Sequence, residues 1–217
     1  MLTLPSDQAV DAAVGRLRVS LAAPGLAEAV AAYFAEPDFA GITFSALGRN
    51  PADEITADDL LAVALLDITW RPRVVRLLLE RRRAEFSALL AAVPGDVDLW
   101  DATDDDLKQV DVLWDALTAV DGIGTASATK LLARKRPRLC PISDSVEIKA
   151  VDVPGRTWDV LRGLLEDPAA RAEVEALRPP AAASVSLLRI LDVALWVSHS
   201  RSSAAQSVRR ETGLRES

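Results

Sequence analysis

Apolar residues recur along this chain at spacings of three and four, the period of helices that bury one face. Residues 6–20 and 24–35 read as two short helices parted by AAPG, and EPDFAGITFSALGRNPADE reads as an ordered connection. ITADDLLAVALLDI opens like a capping box, with Thr56 as N-cap and Asp59 three residues on, and continues as a buried helix. TWRP breaks it, because Pro72 disfavours helical geometry at Arg71. Residues 72–92 form one long amphipathic helix that ends near VPGD. Thr103–Asp106 (TDDD) caps the next helix, which reaches about Ala119 through Leu107, Val110, Leu113, Trp114 and Leu117. Further helices are predicted near 125–135, 144–151, 156–166, 168–178 and 183–199, with a polar tail after them that is loose or a weakly held terminal helix. No segment alternates convincingly and nothing repeats, so the expected fold class is all-α.

Composition narrows the chemistry more than the fold. Half of the 217 residues are apolar, enough for a real core. The longest apolar run, Leu60 to Leu66, is too short to span a bilayer, and MLTLPSDQAV lacks the basic start of a secretion signal. These features predict a cytoplasmic protein with no membrane contact. One cysteine, Cys140, leaves no internal disulfide, cysteine zinc site or four-cysteine cluster, and His199 is the only histidine. No metal and no cofactor is expected, and any hydrolysis rests on carboxylates, hydroxyls and water.

Net charge is −7, against a nonspecific nucleic-acid coat, but the charges are patterned. Residues 71–83 carry six arginines against Glu80, and 96–121 carry nine aspartates against Lys108. Lys130, Arg134, Lys135, Arg136 and Arg138 come next, with no acid among them. Such runs are most often solvated helix faces. The arginines at 81–83 cannot all face one way on a helix, whereas Trp70, at a helix break beside Arg71 and Arg73, is the better placed for a nucleic-acid contact.

One stretch asks for more than packing. VDGIG, residues 120–124, joins two helices. Gly122 and Gly124 allow a sharp turn with positive φ and let a phosphate approach closely. The next helix starts at Thr125, so its unpaired N–H groups and positive dipole end point at that phosphate. Gly122, Ile123, Gly124 and Thr125 would form the contact, with Lys130 and Arg134 to Arg138 on neighbouring phosphates. A Gly-x-Gly turn between core helices needs no ligand at all, and that reading stays open.

The hairpin and the twenty residues after it resemble the helix-hairpin-helix DNA glycosylase superfamily. Its Leu-Pro-Gly-Val-Gly hairpin is matched by Val120 to Gly124, and its catalytic aspartate lies about twenty residues past the second glycine in a segment like Pro-x-x-Asp-Thr-x-Val. Here Asp144, in PISDSV, lies twenty residues after Gly124. AVALLDITW resembles the family's earlier Leu-Leu-Ser-x-Gln stretch, which makes Thr69 and Trp70 the implied plugs for a flipped base. ITADDLLAVALLDI further resembles a segment of a bacterial family of similar length, implying a separate branch. Members with lyase activity have a lysine two residues after the second glycine; Ala126 stands there, which implies a monofunctional enzyme. The hairpin proline is replaced by Asp121, and the iron–sulfur cysteines of some members are missing.

The resemblance implies two helical lobes, 50–135 ending in the hairpin and 1–49 with 136–217. It implies a monomer that binds duplex DNA and hydrolyses the N-glycosidic bond of a modified base, with Asp144 stabilising the oxocarbenium-like sugar and orienting water. Asp144 as a mere N-cap, worth about 1 kcal/mol, is compatible with either outcome. Two alternatives accompany this expectation: a DNA-binding protein of the same fold without the chemistry, and a helical protein-interaction module docking through 96–121.

Overall fold

The computed structural model describes residues 6–153 and 155–214; residues 1–5, where the leader reading begins, and the last three of the polar tail lie outside them. Among the described residues all regular elements are helical. They run α1 (Asp7–Leu21), α2 (Leu26–Ala35), α3 (Thr43–Ala46), α4 (Ala57–Ala64), α5 (Pro72–Arg76), α6 (Arg83–Ala92), α7 (Asp104–Thr118), α8 (Thr125–Lys135), α9 (Ser145–Val151), α10 (Thr157–Glu166), α11 (Pro168–Ala176), α12 (Leu187–His199) and α13 (Ser203–Thr212). None is long and apolar enough to cross a membrane. The chain divides into two compact units, residues 1–41 with 143–217, and residues 42–142.

In the first unit α1 packs on α10, and α12 packs on α2, α9, α11 and α13. Helix α12 is buried along most of its length, from Leu188 to Leu195 and again at Val197 and Ser198. Its two charges therefore have to be satisfied inside. Arg189 pairs with Asp192 one turn away and donates to the Tyr33 hydroxyl at 2.7 Å. Tyr33 also stacks on Phe39 with ring centroids 5.1 Å apart, and Trp196 meets Phe39 edge-on at 5.6 Å. Within the polar tail, Ser203–Thr212 form the terminal helix α13, which buries Ala205, Val208 and Arg209, and Arg209 donates to the Val197 carbonyl at 2.8 Å.

The second unit is built largely from local signals. Thr56 and Asp59 form a reciprocal capping box at α4, and Thr103 and Asp106 form another at α7. The long amphipathic stretch 72–92 is interrupted by a π-helical turn at Leu77–Arg81. Its buried residues are Val74, Leu78, Phe86 and Leu90. A regular α-helix would rotate Leu90 about 160° away from Val74. The wider π turn absorbs that drift and keeps both pairs on the core face.

The last turn of α8 decides how the rest of this unit closes. Arg134, Lys135 and Arg136 are consecutive and all buried. Arg134 donates to the carbonyls of Phe44 and Leu47 at 2.7 and 2.5 Å and to Asp59 Oδ1 at 3.2 Å. Lys135 reaches Asn50 Oδ1, the Pro51 carbonyl and Asp59 Oδ2 at 2.6, 2.7 and 2.9 Å. Arg136 binds the Val93 and Ala52 carbonyls at 2.9 and 2.7 Å, with Asp53 Oδ1 at 2.8 Å. Residues 42–49 and 136–142, which the sequence division assigns to the other lobe, belong to this unit for that reason: the first supplies Arg134's acceptors and the second begins with a buried guanidinium.

Asp59 is 0 % exposed and serves both the α4 cap and two cations, accepting from Thr56 N–H at 2.9 Å as well. Removing one member of a buried ion cluster leaves the others charged and unpaired, which typically costs about 3–5 kcal/mol. Asp59→Asn keeps a cap acceptor and deletes the charge. It should therefore lower unfolding free energy by that amount in urea melts with an unchanged m-value; a loss below about 1 kcal/mol would show that the carbonyls alone hold these cations.

Candidate functional site

Helices α7 and α8 pack together as a hairpin joined by the turn that contains VDGIG. Val120 and Ile123 point inward and are buried, and the Ile123 N–H closes the turn onto the Val120 carbonyl at 2.9 Å. Ile123 is thus a core anchor and its side chain is not a contact. Only Gly122 has the positive φ expected of both glycines, at 101°; Gly124 is extended at −99°. A Cβ on Gly122 would also meet Val74 Cγ2 at 3.1 Å, whereas a Cβ on Gly124 would meet nothing within 4 Å. Gly122 is needed by the fold. Gly124 is not, and it faces outward with Thr125 at the start of α8. The Ser127 hydroxyl accepts the Gly124 N–H at 3.0 Å, so the N–H groups open to a ligand begin at Thr125.

The cations that accompany this turn are not the expected ones. Lys130 is buried and donates to the Leu66 carbonyl at 3.0 Å, just past the end of α4, where a helix presents unpaired carbonyls and the negative end of its dipole. Arg134, Lys135 and Arg136 are consumed inside, and Arg138 pairs with Asp98 through Nε at 2.9 Å. None of these five holds a phosphate as placed here. The basic groups at the turn come instead from the start of α5. Arg71 is exposed, with Cδ 3.4 Å from the position of a Gly122 Cβ. Arg73 donates to the Asp121 carbonyl at 2.8 Å and forms an ion pair with the Asp121 carboxylate, which offsets the acid next to the glycines.

The implied plug residues Thr69 and Trp70 precede these arginines. Thr69 is exposed, while Trp70 is half-buried and its indole N–H is fixed on the Leu60 carbonyl at 2.8 Å. Trp70 therefore acts as a strut between the middle of α4 and the start of α5. The proximity of Arg71 and Arg73 to the hairpin has no signal in spacing, since 48 residues separate Arg73 from Asp121.

Asp144 lies in the other unit, as the N-cap of α9. Its Oδ1 accepts the Val146 N–H at 2.7 Å, and Glu147 Oε2 accepts the Asp144 N–H at 3.0 Å. The carboxylate is half-buried at the start of α9. Beside it the Trp158 indole donates to the Ser143 hydroxyl at 3.0 Å. Glu147 is the residue here that sequence reasoning missed; its signal was the D-x-x-E spacing of a capping box. Other reactive types are subdued. Burial pushes the Cys140 thiol well up, and burial followed by the charge of Arg209 pulls His199 down.

No curated protein and no solved structure matches the chain. A family profile does match, over residues 26–199, which takes in the hairpin, the buried cation cluster and the α9 and α12 carboxyls. The chain belongs to that family, described as a family of unknown function, DUF6308.

Proposed function

We propose that this protein binds DNA through the α7–α8 hairpin as a helix-hairpin-helix protein. The observation that carries this reading is the exposed Gly124–Thr125 start of α8 with Arg71 and Arg73 beside it. Backbone N–H groups and the dipole of an eleven-residue helix face outward there, and a glycine without steric need leaves room for a phosphate. The contact is to the backbone and so carries no base sequence.

The activity that fits the inventory is hydrolysis of an N-glycosidic bond of a modified base, with Asp144 as the carboxylate. A fixed, ionised aspartate can stabilise the cationic sugar and orient water without metal or histidine. The non-catalytic alternative is favoured by one observation: Asp144 already has a structural task, capping α9 through Oδ1.

Two experiments test this. Binding to a short duplex, measured against salt, should show a falling log K whose slope drops by about 1 for each phosphate-contacting cation removed. Arg71→Ala should reduce that slope, and Arg73→Ala should weaken binding by leaving the Asp121 carboxylate uncompensated beside the turn. Gly124→Ala should weaken binding while costing the fold no more than a poorer N-cap, because its methyl meets only open space in the protein. A Gly124→Ala protein that binds as wild type would remove the hairpin from the interface.

For the chemistry, base release from duplexes carrying a panel of modified bases should occur with wild type and cease in Asp144→Asn, with DNA binding retained. Asparagine remains a good N-cap, so the fold tolerates the change. Salt-sensitive binding with no base released by either protein would favour the non-catalytic form.

A further inference from the structure

Helix α9 holds a carboxyl that the nucleic-acid reading does not use. Glu147 is 1 % exposed. Its Oε2 accepts the Asp144 N–H, but Oε1 is buried with no hydrogen-bond donor in reach. What lies within hydrogen-bonding distance of the Glu147 carboxyl is two more carboxyls, Asp144 and Asp192. Ionised carboxylates only accept, so three of them in one cluster repel unless one carries a proton.

The neighbouring charges do not relieve this. α9 packs on α12, α1 and α10 within its unit. On α12, Arg189 is already engaged by Asp192 and Tyr33. On α1, Arg16 donates to the Val151 carbonyl at the far end of α9. On α10, Arg162 pairs with Glu166, and Asp159 with Arg156. Lys149, on α9 itself, is exposed. Arg189 and Asp192 balance each other and Asp144 is only half-buried, which leaves the fully buried Glu147 as the member to carry the proton.

We propose that Glu147 is a proton-binding site: its carboxyl carries an O–H that it shares with Asp192 and Asp144, and this proton holds the first turn of α9 in place. Burial, then the charge of Asp192, raises its proton affinity well above that of an ordinary glutamate. Loss of the proton to water leaves an uncompensated negative charge between α9 and α12 and loosens the turn that positions Asp144. Glu147 is thus a positioning residue for Asp144. Only that last consequence rests on Asp144 being the reactive carboxylate.

Carboxyl-carbon NMR of the free protein between about pH 5 and 9 tests this without DNA, and its outcome is separate from that of the hairpin. One glutamate carboxyl should stay in its protonated position at neutral pH and be missing in Glu147→Gln, with the Asp144 amide proton titrating at the same midpoint. Asp192→Asn and Asp144→Asn should each move that midpoint down, since each removes a facing negative charge. Because the folded state keeps a proton that the unfolded chain releases, the wild-type thermal midpoint should fall as pH rises above the ordinary glutamate range. Glu147→Gln should lack that decline. Every glutamate carbon titrating in its ordinary range, or a midpoint indifferent to both aspartate changes, would overturn the proposal; the wild-type and Asp144→Asn spectra decide it even if another variant fails to fold.

Discussion

Three consecutive cations buried at one helix end are the constraint around which the 42–142 unit is organised. Successive residues on a helix point about 100° apart, so Arg134, Lys135 and Arg136 can all be buried only if protein surrounds the end of α8. The surrounding material is backbone. Carbonyls of Phe44, Leu47, Pro51, Ala52 and Val93 converge on the three side chains, with Asp59 the fully buried counter-charge. The short helix α3, the connection from it to α4 and the end of α6 are thereby given partners for their acceptors. The C-terminal position helps, because the negative end of the α8 dipole favours cations there.

That arrangement explains why the basic run misleads when read as sequence. A cluster of Lys130 and Arg134 to Arg138 after a glycine turn has the composition of a phosphate grip, and nothing local distinguishes it from one. The acceptors lie more than eighty residues earlier for Arg134, in a stretch without periodicity. Lys130 is similar: it caps the end of α4 from 64 residues away. What could be read was what depends on near neighbours. The capping pairs Thr56–Asp59 and Thr103–Asp106, the break at Trp70–Pro72 and the span of α8 all arise from interactions within four residues. The π turn at 77–81 was hidden for the opposite reason, since it answers to the distance between two stripes of core contacts.

The candidate site was legible to the same degree. Gly122, and the exposed start of α8 after Gly124, could be found from the turn itself. The sequence did not reveal which glycine the turn requires, and the structure separates them: Gly122 has the left-handed φ and a crowded Cβ position, and Gly124 has neither. Gly122 is explained by its positive φ together with Val74, whereas the space beside Gly124, the N-cap of α8, is open. Arg71 and Arg73 reach the same turn only because α5 starts beside it, so the electrostatics of the hairpin are a tertiary property.

The two units meet the same difficulty, charge inside a helical core, with different chemistry. Around Asp59 the excess is positive, and carbonyl oxygens, having lone pairs to give, absorb it. Around Asp192 the excess is negative, and the helical backbone of α9 and α12 has few N–H groups to offer, because those past the first turn are committed to the helix. Glu147 uses one such N–H, that of Asp144, and exhausts the local supply. A buried cation can be solvated by a loop. A buried carboxylate facing other carboxylates between helices has no such recourse, which is why the balance there falls to a proton.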